Sequence, residues 1–167
     1  KVIDREDVLE KINRQAPRLA KDVAERNDCL MAGNICNTNA YEAGDKATHA
    51  KVRSMFEEQI GWAVDEGADF LIAETIDWLG EAEIALDVMK KTGLPTVVTL
   101  SVHREEKMFD GASVVEACKR LEAAGADVVG LNCQRGPTTL MPVVRKVREA
   151  VSCHVAALPV PYRTTQA

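Results

Sequence analysis

The sequence predicts an α/β fold in which parallel strands alternate with helices, and two observations support this prediction. Short apolar runs recur with about 26 to 40 residues between their starts, which is the size of one strand and helix unit. Between these runs, apolar residues recur at helical spacing, and a glycine often follows the last of them. Continuous apolar strands that are covered on both faces are typical of parallel sheets.

The first two helices and the first strand follow from this pattern. The first helix is predicted over residues 4–26, on the surface, and Pro17 predicts a break or two shorter helices. The first strand is predicted over residues 29–36, although Gly33 argues against it because glycine has no side chain to pack. The second helix is predicted over residues 48–66.

The later elements repeat the same order. Strands are predicted over residues 69–73, 95–102, 127–132 and 154–160, and helices over 81–91, 113–124 and 139–151. Glu-Gly-Ala-Asp at residues 66–69 is echoed by Ala-Gly-Ala-Asp at residues 124–127, and each copy precedes an apolar strand. Weak internal repetition of this kind is typical of a barrel built from similar units.

The positions of the polar residues distinguish a barrel from a doubly wound sheet. No G-x-G-x-x-G motif is present, so the dinucleotide-binding interpretation lacks its main support. Polar or thiol residues do lie at or near the carboxyl ends of the strands, where barrels carry catalytic groups: Asn34, Glu74, Ser101, Asn132 and Cys133. We therefore predict an incomplete (β/α)8 TIM barrel. Five units leave two unpaired strand edges, which would permit homo-oligomerisation.

The composition of the chain indicates which classes of binding partner and which cellular compartment to expect. The net charge is −5 and the basic residues are interleaved with acids, which argues against nucleic-acid or acidic-membrane partners and favours a small molecule. The five cysteines occur singly rather than in a secreted disulfide framework, which predicts a cytoplasmic location. No apolar stretch approaches the roughly 20 residues of a transmembrane helix, and residues 1–6 are charged rather than signal-like.

Glu74 is the first candidate for chemistry. It follows a run of apolar residues, where an ionised carboxylate loses solvation unless it meets a cation. A ligand ammonium would supply that cation. A structural ion pair with a neighbouring lysine or arginine is the alternative.

The cysteines are weaker candidates on their residue type alone. Cys133 ends an apolar strand before a loop, but a lone cysteine is more often a packed apolar residue than a metal ligand, and no C-x-x-C occurs. Cys36 also lies near the carboxyl ends of the strands and is a weaker candidate for a functional role. Cys29, Cys118 and Cys153 are assigned to structure.

The remaining candidates are a histidine and two aromatic residues. His103 is the one histidine placed after a strand, with a solvated loop position as the favoured interpretation. Trp78 and Tyr162 could line a pocket around a methylated cation, and ordinary packing is at least as good an explanation for each.

Two strand motifs stand out, Phe70-Leu71-Ile72-Ala73-Glu74-Thr75 and Val129-Gly130-Leu131-Asn132-Cys133. Together they resemble the homocysteine S-methyltransferase family, and most of all its betaine-homocysteine methyltransferase branch. The resemblance implies zinc-dependent methyl transfer to the sulfur of homocysteine, which gives methionine. It also implies that Cys133 is a zinc ligand, that Glu74 binds the homocysteine amino group, and that Asn132 supports the site beside the zinc ligand.

The family also has parts that are absent from these 167 residues. Two further zinc thiolates come from an adjacent pair in a Gly-Gly-Cys-Cys-Gly motif, and an Asp-Gly-Gly loop helps to hold homocysteine. We therefore expect residues 1–167 to be the central part of a homocysteine-binding barrel domain, about strands 3 to 7. With one thiolate, this chain is predicted neither to hold zinc tightly nor to catalyse.

The methyl donor and two other function classes stay open. Thr75 stands where betaine-using members carry an aromatic residue, so a betaine-like donor, S-methylmethionine, a sulfonium betaine and a methylated folate all remain candidates. A metal-independent barrel lyase or aldolase would use Glu74 as its acid-base group and tolerate Cys133→Ser. A noncatalytic binding module would leave Glu74 and Cys133 structural and would not bind homocysteine.

Overall fold

The computed structural model describes residues 5–103 and 105–161, in which helices and strands alternate. The helices are α1 (Leu9–Arg26), α2 (Lys46–Asp65), α3 (Leu79–Lys90), α4 (Val114–Ala123) and α5 (Pro137–Ala150). The strands are β1 (Ala32–Cys36), β2 (Phe70–Ile76), β3 (Thr96–Ser101), β4 (Val128–Asn132) and β5 (His154–Leu158). All neighbouring strands are parallel and follow chain order, which is barrel topology and confirms the predicted α/β class.

The two faces of the sheet differ in polarity. Registered residues on neighbouring parallel strands point to the same face. Cys36 pairs with Glu74, and Ser101 pairs with Asn132, so polar groups share one face near the carboxyl ends of the strands. The other face carries the residues that form the core with the helices: Leu71, Ala73, Val98, Leu100, Val129 and Leu131.

The repeated Gly-Ala-Asp sequence builds the same contact twice. The carboxylate of Asp69 accepts a hydrogen bond from the backbone N–H of Met31 at 2.7 Å, and Lys21 lies 3.0 Å from it. Asp127 likewise accepts from the backbone N–H of Thr96 at 2.8 Å, and Lys90 lies 3.4 Å away. Each aspartate therefore ties the start of its own strand to the start of the preceding one.

The predicted break at Pro17 is wrong, because α1 is one continuous helix of 18 residues. Proline removes one backbone hydrogen bond, and the helix nevertheless continues, with ion pairs to the end of α2 on both sides of Pro17. Arg14 lies 3.1 Å and Arg18 2.6 Å from the carboxylate of Glu66, which fixes α1 against the end of α2. The surface location is confirmed, since Ala24 is the one buried residue of α1.

Gly33 belongs to β1 because α2 approaches the sheet closely at this point. A β-carbon at Gly33 would lie 2.8 Å from Ala63 Cβ and 2.8 Å from Leu71 Cδ2. The glycine therefore serves packing, as glycines do where another element comes close to a strand. β1 is shorter than predicted and begins at Ala32 rather than at residue 29. Within the described ranges, no helix is long and apolar enough to cross a lipid bilayer.

Candidate functional site

Glu74 lies at an irregularity inside β2. The pairing of β2 with β3 shifts between Ala73 and Ile76, so that Glu74 and Thr75 together oppose a single residue of β3. Thr75 has a φ of 60°, in the left-handed region. This is a β-bulge, a feature that often re-aims a side chain beside an active site. The strand therefore continues to Ile76 and does not end at residue 73, as the apolar run alone had predicted.

The carboxylate of Glu74 is half-buried and has an amide partner. Nδ2 of Asn34 donates to Oε1 of Glu74 at 2.5 Å. Among residues 5–103 and 105–161, no lysine or arginine forms an ion pair with Glu74, so the structural ion pair has no support there. A carboxylate with one amide donor keeps free acceptor capacity for a ligand ammonium.

Asn132 is buried and its amide group contacts Thr75. The backbone N–H of Thr75 donates to Oδ1 of Asn132 at 2.9 Å, and Nδ2 of Asn132 donates to Oγ1 of Thr75 at 2.7 Å. β3 lies between these two strands, and the side chain of Asn132 therefore reaches across the polar face of β3 near its carboxyl end. The adjacent Ser101 is fully buried, and within the described part of the chain its hydroxyl has no hydrogen-bond partner.

Cys133 is half-exposed directly after β4. Its φ is 60° and that of Gln134 is 55°, so two left-handed residues in succession turn the chain away from the strand. The N–H of Cys133 donates to the carbonyl of Leu158 at 3.1 Å, which fixes its backbone against β5. An accessible thiol at this position fits one ligand position of a zinc site. The described residues contain no group of three histidine, cysteine or acidic side chains placed to hold a metal.

The other cysteines divide by environment. Cys36 is exposed at the open edge of β1, beside Glu74. Partial burial of its thiol, together with the charges of Glu74 and Glu81, raises its pKa, which opposes metal binding. Cys118 is fully buried and burial raises its pKa to about 12, as befits a structural residue. Cys153 is half-buried and Cys29 is exposed.

His103 is not a solvated loop histidine. Its Nε2 donates to Oδ1 of Asp77 at 2.9 Å, and its ring stacks on Phe109 with centroids 4.6 Å apart. Nδ2 of Asn37 donates to the other oxygen of Asp77 at 3.0 Å, and the guanidinium of Arg135 donates to the carbonyl of His103. Asp77 thus organises the loops after β1, β2 and β3. The sequence offered no signal for Asp77, because an acidic residue after a strand is common on a surface.

Trp78 packs within an aromatic cluster at the same edge. Its ring centroid lies 5.8 Å from that of Tyr41 and 5.4 Å from that of Phe109. These ring contacts show that packing accounts for Trp78, while Tyr162 lies outside the described residues.

Next to the aromatic cluster, the buried carboxylate of Glu81 accepts hydrogen bonds from the N–H of Thr38 at 2.8 Å and from the hydroxyl of Thr38 at 2.6 Å.

Comparison with known proteins identifies the family. A family model described as homocysteine S-methyltransferase matches residues 1–165. The chain belongs to the homocysteine S-methyltransferase family. Among its relatives are the S-methylmethionine–homocysteine S-methyltransferase BHMT2 of Pongo abelii, 32% identical over 95% of this chain, and the betaine–homocysteine S-methyltransferase 1 of Xenopus laevis, 33% identical over 93%. The alignments cover 44% and 39% of those two proteins, so the chain spans about two fifths of their length.

Solved structures agree with this assignment at the level of the fold. The metallated form of the homocysteine methyltransferase MmuM from Escherichia coli superimposes with a TM-score of 0.76 and 14% identity, over 89% of this chain and 57% of that one. The carboxyl transferase domain of Rhizobium etli pyruvate carboxylase, in its Y628A form, superimposes with a TM-score of 0.60 and 14% identity. This superposition covers 90% of this chain and 27% of that one. The five βα units are thus part of a (β/α)8 barrel of the homocysteine S-methyltransferase family.

Proposed function

We propose that the full-length protein containing this chain transfers a methyl group from a positively charged methylated donor to the sulfur of homocysteine, giving methionine. The observation that carries the proposal is the carboxylate of Glu74, half-buried at the carboxyl ends of the strands and bonded to Asn34. It has no basic partner among the described residues. Glu74 would bind the ammonium of homocysteine, and so orient its thiol toward the mouth of the barrel where Cys133 lies.

Cys133 would supply one thiolate to a zinc ion, with two further thiolates from outside this chain, as the family resemblance implies. The half-exposed thiol after β4 supports this assignment. A zinc ion held there would favour the thiolate form of homocysteine at neutral pH, where a free thiol is mostly protonated, and the thiol proton would pass to solvent. The methyl carbon then passes to the homocysteine sulfur, and the donor keeps the bonding electron pair and loses its positive charge.

The names of the relatives and the side chain of Thr75 bear on the identity of the methyl donor. The names of the relatives include betaine and S-methylmethionine as donors, and both of these molecules carry a methylated cation. In this chain the hydroxyl of Thr75 accepts a hydrogen bond from Asn132, and Thr75 offers no aromatic face to that cation. We therefore propose a cationic donor without choosing between the two.

The five cysteines are free, which supports a proposed site of action in the reducing cytoplasm.

Zinc content of the full-length protein tests the metal part of the proposal. We expect about one zinc per chain after dialysis in the parent and a large loss in Cys133→Ser. Cys29→Ser, an exposed cysteine before β1, is the matched control and should retain the metal. Equal zinc in the parent and Cys133→Ser, or none in either, would contradict thiolate activation and favour a metal-independent enzyme that uses Glu74.

A further inference from the structure

The side chain of Asn132 reaches across the polar face of β3 to Thr75, and we infer that this pair positions the carboxylate of Glu74. We name it the Thr75–Asn132 clamp. The inference rests on the proposed function for the identity of the ligand, an amino acid whose ammonium meets Glu74. In this assignment Asn132 is a positioning residue that acts through the backbone of β2.

The bulge matters because of what each residue of β2 must face. Ala73 and Ile76 are both fully buried and pair with Val98 and Leu100 on the core face. In a regular strand, residues three apart point to opposite faces. One extra residue therefore keeps both apolar side chains in the core and still presents Glu74 on the polar face.

Thr75 bears the conformational cost of that extra residue. A φ of 60° is unfavourable for a β-branched side chain, and such a conformation persists only where the surroundings impose it. The clamp supplies that restraint with two hydrogen bonds, at 2.9 Å to the backbone N–H and 2.7 Å to the hydroxyl of Thr75. Asn132 is 6% exposed, so these bonds are shielded from competing water.

The same contacts argue against Asn132 as a direct ligand of homocysteine. Its amide oxygen and one of its N–H groups are occupied by Thr75, and its side chain is buried. Loss of the clamp would instead relax the bulge and turn Glu74 away from the ligand. The effect should be confined to ligands that carry an ammonium.

Calorimetric titration of the full-length protein with two ligands tests this inference. Homocysteine carries the ammonium, and 4-mercaptobutanoate is the same molecule without it. We expect Asn132→Ala to weaken homocysteine binding by about tenfold, the size of a lost charged hydrogen bond, and to leave 4-mercaptobutanoate nearly unchanged. On the Glu74→Gln background, the same substitution should cause little further loss.

A rescue variant separates positioning from general destabilisation. Glycine adopts a positive φ at no steric cost. Adding Thr75→Gly to Asn132→Ala should therefore recover much of the homocysteine affinity, whereas the rescue would fail if Asn132 contacted the ligand directly. Should Asn132→Ala fold poorly, Thr75→Val removes the hydroxyl alone and should show a smaller loss that is again confined to homocysteine.

The possible outcomes distinguish the clamp from the proposed function. Equal weakening of both ligands, or an unchanged homocysteine affinity in Asn132→Ala, would overturn the clamp. If the parent does not bind homocysteine, the proposed function fails, and amide exchange still decides on the clamp. Exchange at the Thr75 N–H should be slow in the parent and faster in Asn132→Ala, and equal rates would refute the clamp without reference to any ligand.

Discussion

Nε2 of His103 donates a hydrogen bond to Oδ1 of Asp77 at 2.9 Å, and this contact joins the loops that follow β3 and β2. Asn37 donates to the second carboxylate oxygen, and the N–H of Phe109 donates to the carbonyl of Asp77 at 3.0 Å. The carboxylate is mostly shielded, with 15% of the side chain exposed. A single aspartate therefore holds together the loops at the edge of the sheet where the candidate site lies.

Removal of this carboxylate should destabilise the protein. We expect Asp77→Ala to lower the free energy of unfolding by about 1 to 3 kcal/mol, because Asn37 and His103 lose a charged acceptor in a half-buried setting. Urea denaturation followed by circular dichroism measures the change. Glu57→Ala, at an exposed position on α2, is the control and should stay within about 0.5 kcal/mol of the parent. Equal stability of Asp77→Ala and the control would show that the network contributes nothing.

Two glycines should respond in opposite directions to the same substitution. Gly33→Ala places a β-carbon 2.8 Å from Ala63 and Leu71, so we expect a loss of about 1 to 3 kcal/mol from overpacking. Gly61 lies within α2, and a β-carbon there would meet no neighbouring side chain within 4 Å. Gly61→Ala should therefore stabilise the helix by about 0.5 to 1 kcal/mol. Thermal melts of both variants test the pair, and stabilisation by Gly33→Ala would contradict the close contact between α2 and β1.

The charge of Glu74 should govern the affinity for homocysteine. Glu74→Gln keeps the shape and the contact with Asn34 but removes the charge that an ammonium requires. We expect the full-length variant to bind homocysteine about 10- to 100-fold more weakly, from the strength of charged hydrogen bonds. Calorimetry measures the affinity, and Glu58→Gln on the exposed surface of α2 is the control. An unchanged affinity in Glu74→Gln would count against the ammonium site.

Acid should reduce the stability that Asp127 contributes by joining β3 to β4. The backbone N–H and then the hydroxyl of Thr96 lower the pKa of Asp127 below its usual 3.8. A lowered folded-state pKa contributes stability that is fully present above the unfolded value and is lost as the pH falls through the folded value. The stability difference between the parent and Asp127→Asn should therefore be constant near neutral pH and shrink as the pH falls below 3.8. Melts from neutral pH to below pH 3.8 test it, and a difference that stays constant throughout would contradict the assigned role.

The alternation of elements could be predicted from the sequence because it depends on local patterns. Apolar periodicity and the glycines at helix ends placed every strand and helix to within a few residues, and the positive φ of Gly67 and Gly125 explains why glycine stands there. Pro17 and Gly33 misled the prediction. In both cases the element contacts a residue distant in the chain, Glu66 for α1 and Ala63 for β1, and a local pattern does not contain that contact.

The site was only partly predictable for the same reason. Glu74 and Cys133 stood out because a carboxylate and a thiol follow apolar strands, and the family match agrees with the two motifs that contain them. Asp77 and Glu81 did not stand out, because their roles depend on partners that lie 26 to 43 residues away in the chain.

The sequence by itself determined the order of the elements, the parallel sheet and the family, since these follow from periodicity, chain spacing and motif residues that lie close together. Tertiary structure alone decided how the candidate site is held. The left-handed Thr75 is stable because Asn132, 57 residues further along, contacts it across the polar face of β3. No local pattern encodes such a contact, because its free energy arises only when the two strands share one sheet.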